Sequence, residues 1–346
     1  SSARWAERVA ARTGIRCVAP ALLGPVPATL ADATASAGPF PALEYVLGKA
    51  RRHAVAGSDG EALIRSIAGA DNAPGALLAR GFGVAPGRIG YRAAPAHLRP
   101  DRDRLLLFAG DAARPDRAEA ESICEGFNRI FGADGLELQT RGGEWLLVTD
   151  TAPGPDLPSL SQVAGSYLDT VIPDDPATRP WRKLLNETQM FLYDHPVNTA
   201  RSARGELPVN GLWFWGGGEV PSGPIPGGGT RIVSDDPLAL GVARALEAPV
   251  IGPGDADYQT LADGEAAVIV WTDAERALLG GDVEGWLAAL QRFEATWAPL
   301  LRDLALESRQ TVDLHIGGSR GFTLGPAARH RFWRRVRPLS DWIARE

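Results

Sequence analysis

The chain has 346 residues, 45% apolar and 23% charged, the balance of a globular protein with room for one large domain or two ordinary ones. Its net charge of −6 argues against general nucleic-acid binding, which needs a basic surface to displace counterions. Two cysteines, Cys17 and Cys124, with no CxxC pair, exclude a disulfide framework and a cysteine zinc site, and are expected as buried, reduced thiols.

In chain order, residues 1–85 read as helices and loops, with apolar residues at helical spacing over Trp5–Arg12 and Pro41–Ala54. The stretch Cys17–Ala28 is apolar but broken by Pro20, Gly24, Pro25 and Pro27, so it is not read as a signal peptide. Ser58 and Glu61 have capping-box spacing and open a helix over Glu61–Ile67. Strands are expected at Arg88–Leu98 and Leu105–Phe108, an amphipathic helix at Asp116–Phe131, and a hairpin of Leu136–Thr140 with Trp145–Thr149 around Gly142-Gly143. This block, residues 86–155, reads as a small α+β subdomain inserted in a larger α/β domain formed by residues 1–85 and 156–346. The remainder alternates: helix Trp181–Asp194, strand Gly211–Trp215, strand Thr230–Val233, helix Pro237–Leu246, strand Ala266–Trp271, helix Val283–Leu304, then strands Thr311–Ile316 and Gly321–Leu324 before short helices holding Trp333 and Trp342. Strands separated by helices imply a parallel sheet covered on both faces, and Ala266–Trp271 has the continuous apolar run of a central strand. No run reaches the ~18–20 apolar residues of a membrane span, so a cytoplasmic protein is expected.

The segment Asn186–Gly218 carries the most chemistry. A helix ends near Asp194, because His195 precedes Pro196. Asn198 and Arg201, three residues apart, can share the face of a following turn, and Asn210 opens an aromatic strand running into Gly216, Gly217 and Gly218. A glycine run after a strand lets backbone amides approach an anion, and His195, Asn198, Arg201 and Asn210 would add donors for a phosphate or carboxylate. The same residues also suit a purely structural role, with Trp213 and Trp215 in the core, the glycines as a tight turn and His195 as a helix end. The cluster Arg329, His330, Arg331, Arg334, Arg335 and Arg337 reads either as an anion or partner site or, preferred here, as a solvated helix face with Trp333 anchored in the core.

The phrase Asp194-His195-Pro196-Val197-Asn198, followed by Arg201, Gly205, Pro208, Asn210, Trp213 and Trp215–Gly218, resembles the central stretch of the archaeal-type cofactor-independent phosphoglycerate mutases of the alkaline phosphatase superfamily. It resembles still more a group of proteobacterial mutase-like proteins termed RpfE-type, for regulation of pathogenicity factors. The resemblance implies an alkaline-phosphatase-like α/β fold, a mixed or parallel sheet flanked by helices, with an inserted subdomain. It also implies two divalent metals and a Ser or Thr nucleophile for phosphoryl transfer.

The chain departs from that pattern. After the central strand, Asp273 is present but the histidine expected a few residues later is not, and an expected Asp-His pair is replaced by Asp313-Leu314-His315. Asp313 and His315 share one face of an extended strand, so with Asp273 they are the candidate metal ligands. Ser58 and Ser66, the early serines, lie in no nucleophile motif. The expectation is a catalytically degenerate mutase-like protein, regulatory or binding a small phosphorylated or carboxylate ligand, with no cofactor, no nucleic acid or membrane partner and no assignable protein partner. The alternative is an active phosphoglycerate mutase or phosphatase using Mn²⁺ or another divalent metal.

Overall fold

The computed structural model describes residues 14–27, 34, 38–57, 59–69, 72–102, 104–108, 114–163, 165–172, 174–225, 229–279 and 282–344. The expected helix Trp5–Arg12 and the capping residue Ser58 lie outside them. In chain order the strands are β1 (Gly14–Val18), β2 (Arg51–Ala54), β3 (Ile89–Asp101), β4 (Arg104–Phe108), β5 (Leu136–Arg141), β6 (Glu144–Thr149), β7 (Gly211–Glu219), β8 (Arg231–Val233), β9 (Val250–Ile251), β10 (Ala267–Val270), β11 (Thr311–His315) and β12 (Arg320–Leu324). The chain divides into two compact units, residues 1–70 with 224–346, and residues 71–223.

The first unit holds a seven-stranded sheet in the order β2-β12-β11-β1-β10-β8-β9. Strands β11, β1, β10, β8 and β9 run parallel, and β12 and β2 add an antiparallel edge. Strand β10 is buried throughout and lies inside the sheet, as its apolar run implies. One face is covered by the helices Pro41–Lys49 and Val283–Leu306, which bring Leu43, Leu47, Trp286, Phe293 and Leu301 onto Ile15, Cys17, Ile269, Val312 and Leu314. Sequence reading missed β1, because five residues with Arg16 at their centre offer little apolar signal. It also ran the helix from Pro41 to Ala54, whereas the backbone turns extended at Ala50 and Arg51–Ala54 forms the sheet edge. A fully exposed, basic edge strand discourages pairing with a second sheet.

The second unit is an antiparallel sheet, β4-β3-β6-β5, with β7 paired to the long β3. Two of its helices, Arg117–Phe131 and Arg179–Tyr193, contribute Ile123, Phe127, Trp181 and Leu192 to its core, where Trp213 and Phe214 of β7 also lie. The amphipathic helix and the hairpin form as expected, the helix starting with a reciprocal Asp116–Glu119 capping box. Strand β7, expected in the parallel sheet, instead pairs antiparallel with β3, so this unit is wider than residues 86–155 at both ends.

Candidate functional site

Helix Arg179–Tyr193 is capped at Asp194, and His195 then serves as N-cap of the helix Pro196–Ala203, its Nδ1 accepting from the Val197 amide at 3.3 Å. The ring is buried edge-on to Phe191, with centroids 5.1 Å apart. Burial pushes its pKa below the ordinary histidine value, with Arg129 acting the same way and a backbone hydrogen bond at Ser122 opposing. Asn198 donates to the Leu192 and Val209 carbonyls, both at 2.7 Å, and accepts from the Val209 amide at 2.8 Å. Asn210 brackets Leu98 in the same way, accepting from its amide at 2.6 Å and donating to its carbonyl at 2.9 Å, which extends the β3–β7 ladder by a side chain.

Arg201 is 3% exposed; it donates to the Leu207 carbonyl at 2.8 Å and pairs with Glu119 at 2.7 Å. Glu119 is also the capping-box residue of helix Arg117–Phe131 and takes a second ion pair from Arg204 at 2.5 Å. The polar groups expected to line an anion cleft are thus committed to holding their own segment together. Their buried polar atoms need such partners.

Gly216, Gly217 and Gly218 lie within β7, not in a loop after it. Gly216 has φ +65°, beside the irregularity where the β3–β7 register shifts between Gly90 and Arg92. A Cβ on Gly217 would run into the Tyr91 ring, and one on Gly218 into Ala73, while Gly75 in the helix Pro74–Phe82 sits against the Gly90 and Gly216 carbonyls. The run is glycine so that a helix and a ring can lie on the strand. Its central amide, Gly217, donates to Asp156 at 3.0 Å.

Two divalent metals, as the resemblance implies, would need free carboxylates and imidazoles where the parallel strands end. After β8, Asp236 caps the helix Pro237–Leu246 through the Leu238 and Ala239 amides and accepts from Thr272 at 3.1 Å. Ser234 donates to the Val270 carbonyl and accepts from the Asp236 amide, and Arg276 donates to Thr272. Asp273 is ion-paired to Arg292 at 3.3 Å and to Arg276 at 3.6 Å. These residues form a closed network with arginine where an imidazole would be needed, so they do not fit a metal pair and Asp273 is set aside as a ligand.

Asp313 and His315 share the face of the sheet opposite the helices Pro41–Lys49 and Val283–Leu306, and the register brings a third group to them. Across β12, Thr323 stands opposite Asp313 and Gly321 opposite His315; across β2, His53 stands opposite Gly321. His315 Nε2 lies 3.0 Å from one Asp313 oxygen and His53 Nε2 3.3 Å from the other. Burial alone would raise the Asp313 pKa, but the hydrogen bond and charge of His315, with His53 and the Thr323 hydroxyl, hold it below the ordinary carboxylate value. Sequence reading found two of these three groups; His53 belongs to no motif and meets them only through strand pairing.

A second charged feature lies near the C-terminus. Arg331 and Arg334 donate to the Lys49 and Ala50 carbonyls at the end of helix Pro41–Lys49, while the Lys49 ammonium donates back to the Arg331 carbonyl at 2.9 Å and to that of Arg334 at 2.5 Å. Burial, then Arg334 and Arg51, push the Arg331 pKa down. Among the described residues no carboxylate pairs with Lys49, Arg51, Arg331 or Arg334. Trp333, expected in the core, is instead 67% exposed and packs edge-to-face on Phe332. Cys17 and Cys124 are free and buried, and burial raises the pKa of both, that of Cys124 to about 12.

No family model matches the chain. It is 25% identical over 135 residues, 38% of its length, to a probable 2,3-bisphosphoglycerate-independent phosphoglycerate mutase of Geobacter sulfurreducens, and 27% identical over 178 residues, 44% of its length, to the corresponding mutase 1 of Archaeoglobus fulgidus. The matched stretches span only 34% and 42% of those two proteins. The PH0037 protein of Pyrococcus horikoshii has the same overall fold, with a TM-score of 0.55 at 16% identity over 94% of this chain and 91% of that one. Part of the chain is thus similar to part of two phosphoglycerate mutases. The chain's fold is the expected α/β type, a mostly parallel sheet flanked by helices. No helix among the described residues is long and apolar enough to cross a membrane.

Proposed function

We propose that this phosphoglycerate mutase-like protein does not carry out two-metal phosphoryl transfer and acts as a regulatory, anion-binding protein of the RpfE kind. The observation that carries this reading is the closed network after β8 and β10, where Asp236 and Asp273 are held by helix amides, Thr272, Arg276 and Arg292. A carboxylate already matched to arginine has little to offer a cation, and a phosphoryl group in flight needs two cations held in line. The anion-binding half rests on Lys49, Arg51, Arg331 and Arg334, where crowded positive charge has backbone carbonyls but no carboxylate against it. A small phosphorylated or carboxylate ligand would relieve that crowding with bidentate hydrogen bonds.

The test is a coupled assay interconverting 2- and 3-phosphoglycerate, with and without Mn²⁺, alongside thermal melts in 3-phosphoglycerate. No turnover, with a higher melting temperature in the wild type but not in Arg331→Ala, is the expected outcome. Metal-dependent turnover would overturn the reading in favour of an active phosphoglycerate mutase or phosphatase, the alternative that the His53–Asp313–His315 cluster keeps in view.

A further inference from the structure

The geometry points to a single divalent transition-metal site formed by His53, Asp313 and His315, with at least one coordination position open to solvent. It does not rest on the mutase-like reading, because it lies across the antiparallel edge β11-β12-β2 and draws one ligand from a strand that no motif marks.

Asp313 and His315 are two residues apart on β11, so both side chains leave the same face. His53 reaches them across a strand only because the position between is glycine: a Cβ on Gly321 would lie 2.5 Å from His53 Nε2 and 2.5 Å from the Val55 side chain. The ligand-type atoms of the three residues all lie within 4.8 Å of one another. Two ligands of one tetrahedral zinc, each about 2.0–2.2 Å from the ion, stand roughly 3.2–3.6 Å apart. The two histidine–carboxylate separations, 3.0 and 3.3 Å, lie close to that spacing.

Thr323 donates its hydroxyl hydrogen to Asp313 Oδ1 at 3.0 Å and stands 3.3 Å from His53 Nδ1. His315 is 8% exposed in its side chain, and its Nδ1 is buried with no hydrogen-bond partner among the described residues. An ion between the rings and the carboxylate would have Thr323 as the outer partner that orients both His53 and Asp313. Arg16 on β1 and Arg51 on β2 stand in the same cross-strand row as Asp313, so the site is not a bare acidic patch. Two imidazoles and one carboxylate select a nitrogen-seeking cation, zinc, cobalt or ferrous iron, over calcium or magnesium. His53 and Asp313, 34% and 25% exposed in their side chains, give the ion a way in and leave room for water or a ligand anion as a fourth partner.

The experiment uses the untagged full chain, stripped with a chelator and titrated with Co²⁺ and then Zn²⁺. The expected result is about one ion per chain, a visible absorption band of four-coordinate cobalt that zinc abolishes, and a melting temperature raised by zinc. His53→Ala and Asp313→Asn should each weaken binding tenfold or more, with circular dichroism showing a folded chain. His53 lies on an exposed edge, so its variant remains informative if the Asp313 variant does not fold. Fewer than about 0.2 ions per chain, or binding that neither variant weakens, would overturn the assignment. Metal binding without mutase turnover would uphold this site and the degenerate reading together; turnover lost in His53→Ala would uphold the site and overturn that reading.

Discussion

Two polar clusters in this chain, one in each unit, look alike on paper and differ in how completely they are satisfied. Around His195, Asn198, Arg201 and Asn210, most donors and acceptors have found partners a few residues away or on the neighbouring strand. Around His53, Asp313 and His315, two imidazoles compete for one carboxylate and a buried ring nitrogen has none. The first is dense in sequence and forms an unbroken phrase; the second is assembled by strand pairing from distant positions. A dense polar phrase therefore marks a segment that must wire itself in place, and chemistry is better sought where atoms are left over.

The sharpest way to break that comparison is Arg201→Ala. A cleft residue could be removed at little structural cost, whereas cutting this buried ion pair leaves Glu119, only 11% exposed in its side chain, with Arg204 as its remaining arginine. Chemical denaturation should show a loss of about 3–5 kcal/mol, in place of the unaltered fold that a ligand role for Arg201 implies. Next comes Gly217→Ala, which pushes a methyl group into the Tyr91 ring. It should cost about 1–3 kcal/mol by overpacking; a neutral result would return the glycine run to ligand binding.

His195 offers a smaller, pH-dependent effect. Its folded pKa lies below the unfolded value of 6.5, chiefly through burial, so the unfolded chain takes up the proton first. Its contribution is fully present above about pH 6.5 and is lost as the pH falls below that value. His195→Asn, which keeps a capping side chain, should flatten the fall in stability below about pH 6.5 relative to the wild type. Identical slopes would mean that the ring is not desolvated in solution.

What could be read in advance follows the same divide between local and assembled structure. The apolar run of β10, the amphipathic helix opening at Asp116 and the hairpin at Gly142-Gly143 are each written in adjacent residues, and all three form. The strands β1 and β2 were missed because Gly14–Val18 is short and carries Arg16, and because Arg51–Ala54 has the polar character of an edge and runs straight on from a helix. Strand β7 was recognised but not its partner, since pairing with β3 depends on the glycines admitting the helix Pro74–Phe82. Asp313 and His315 were legible as an i, i+2 pair, while His53 and Gly321 gain meaning only from register.

The smallest expected effect is the most discriminating. His53 is partly exposed on the sheet edge, its only ion pair among the described residues is with Asp313, and its outer contact is the Thr323 hydroxyl. In metal-free buffer His53→Ala should change stability by no more than about 0.5 kcal/mol, as surface substitutions usually do. In zinc the two proteins should separate, because only the wild type gains the mass-action term of a ligand specific for the folded state. At a free zinc concentration of 100 times the dissociation constant that term is about 2.7 kcal/mol. Wild type and variant that melt together both with and without zinc would leave His53 as an edge-strand residue beside an ordinary buried histidine. The two polar clusters would then differ only in how neatly they are packed.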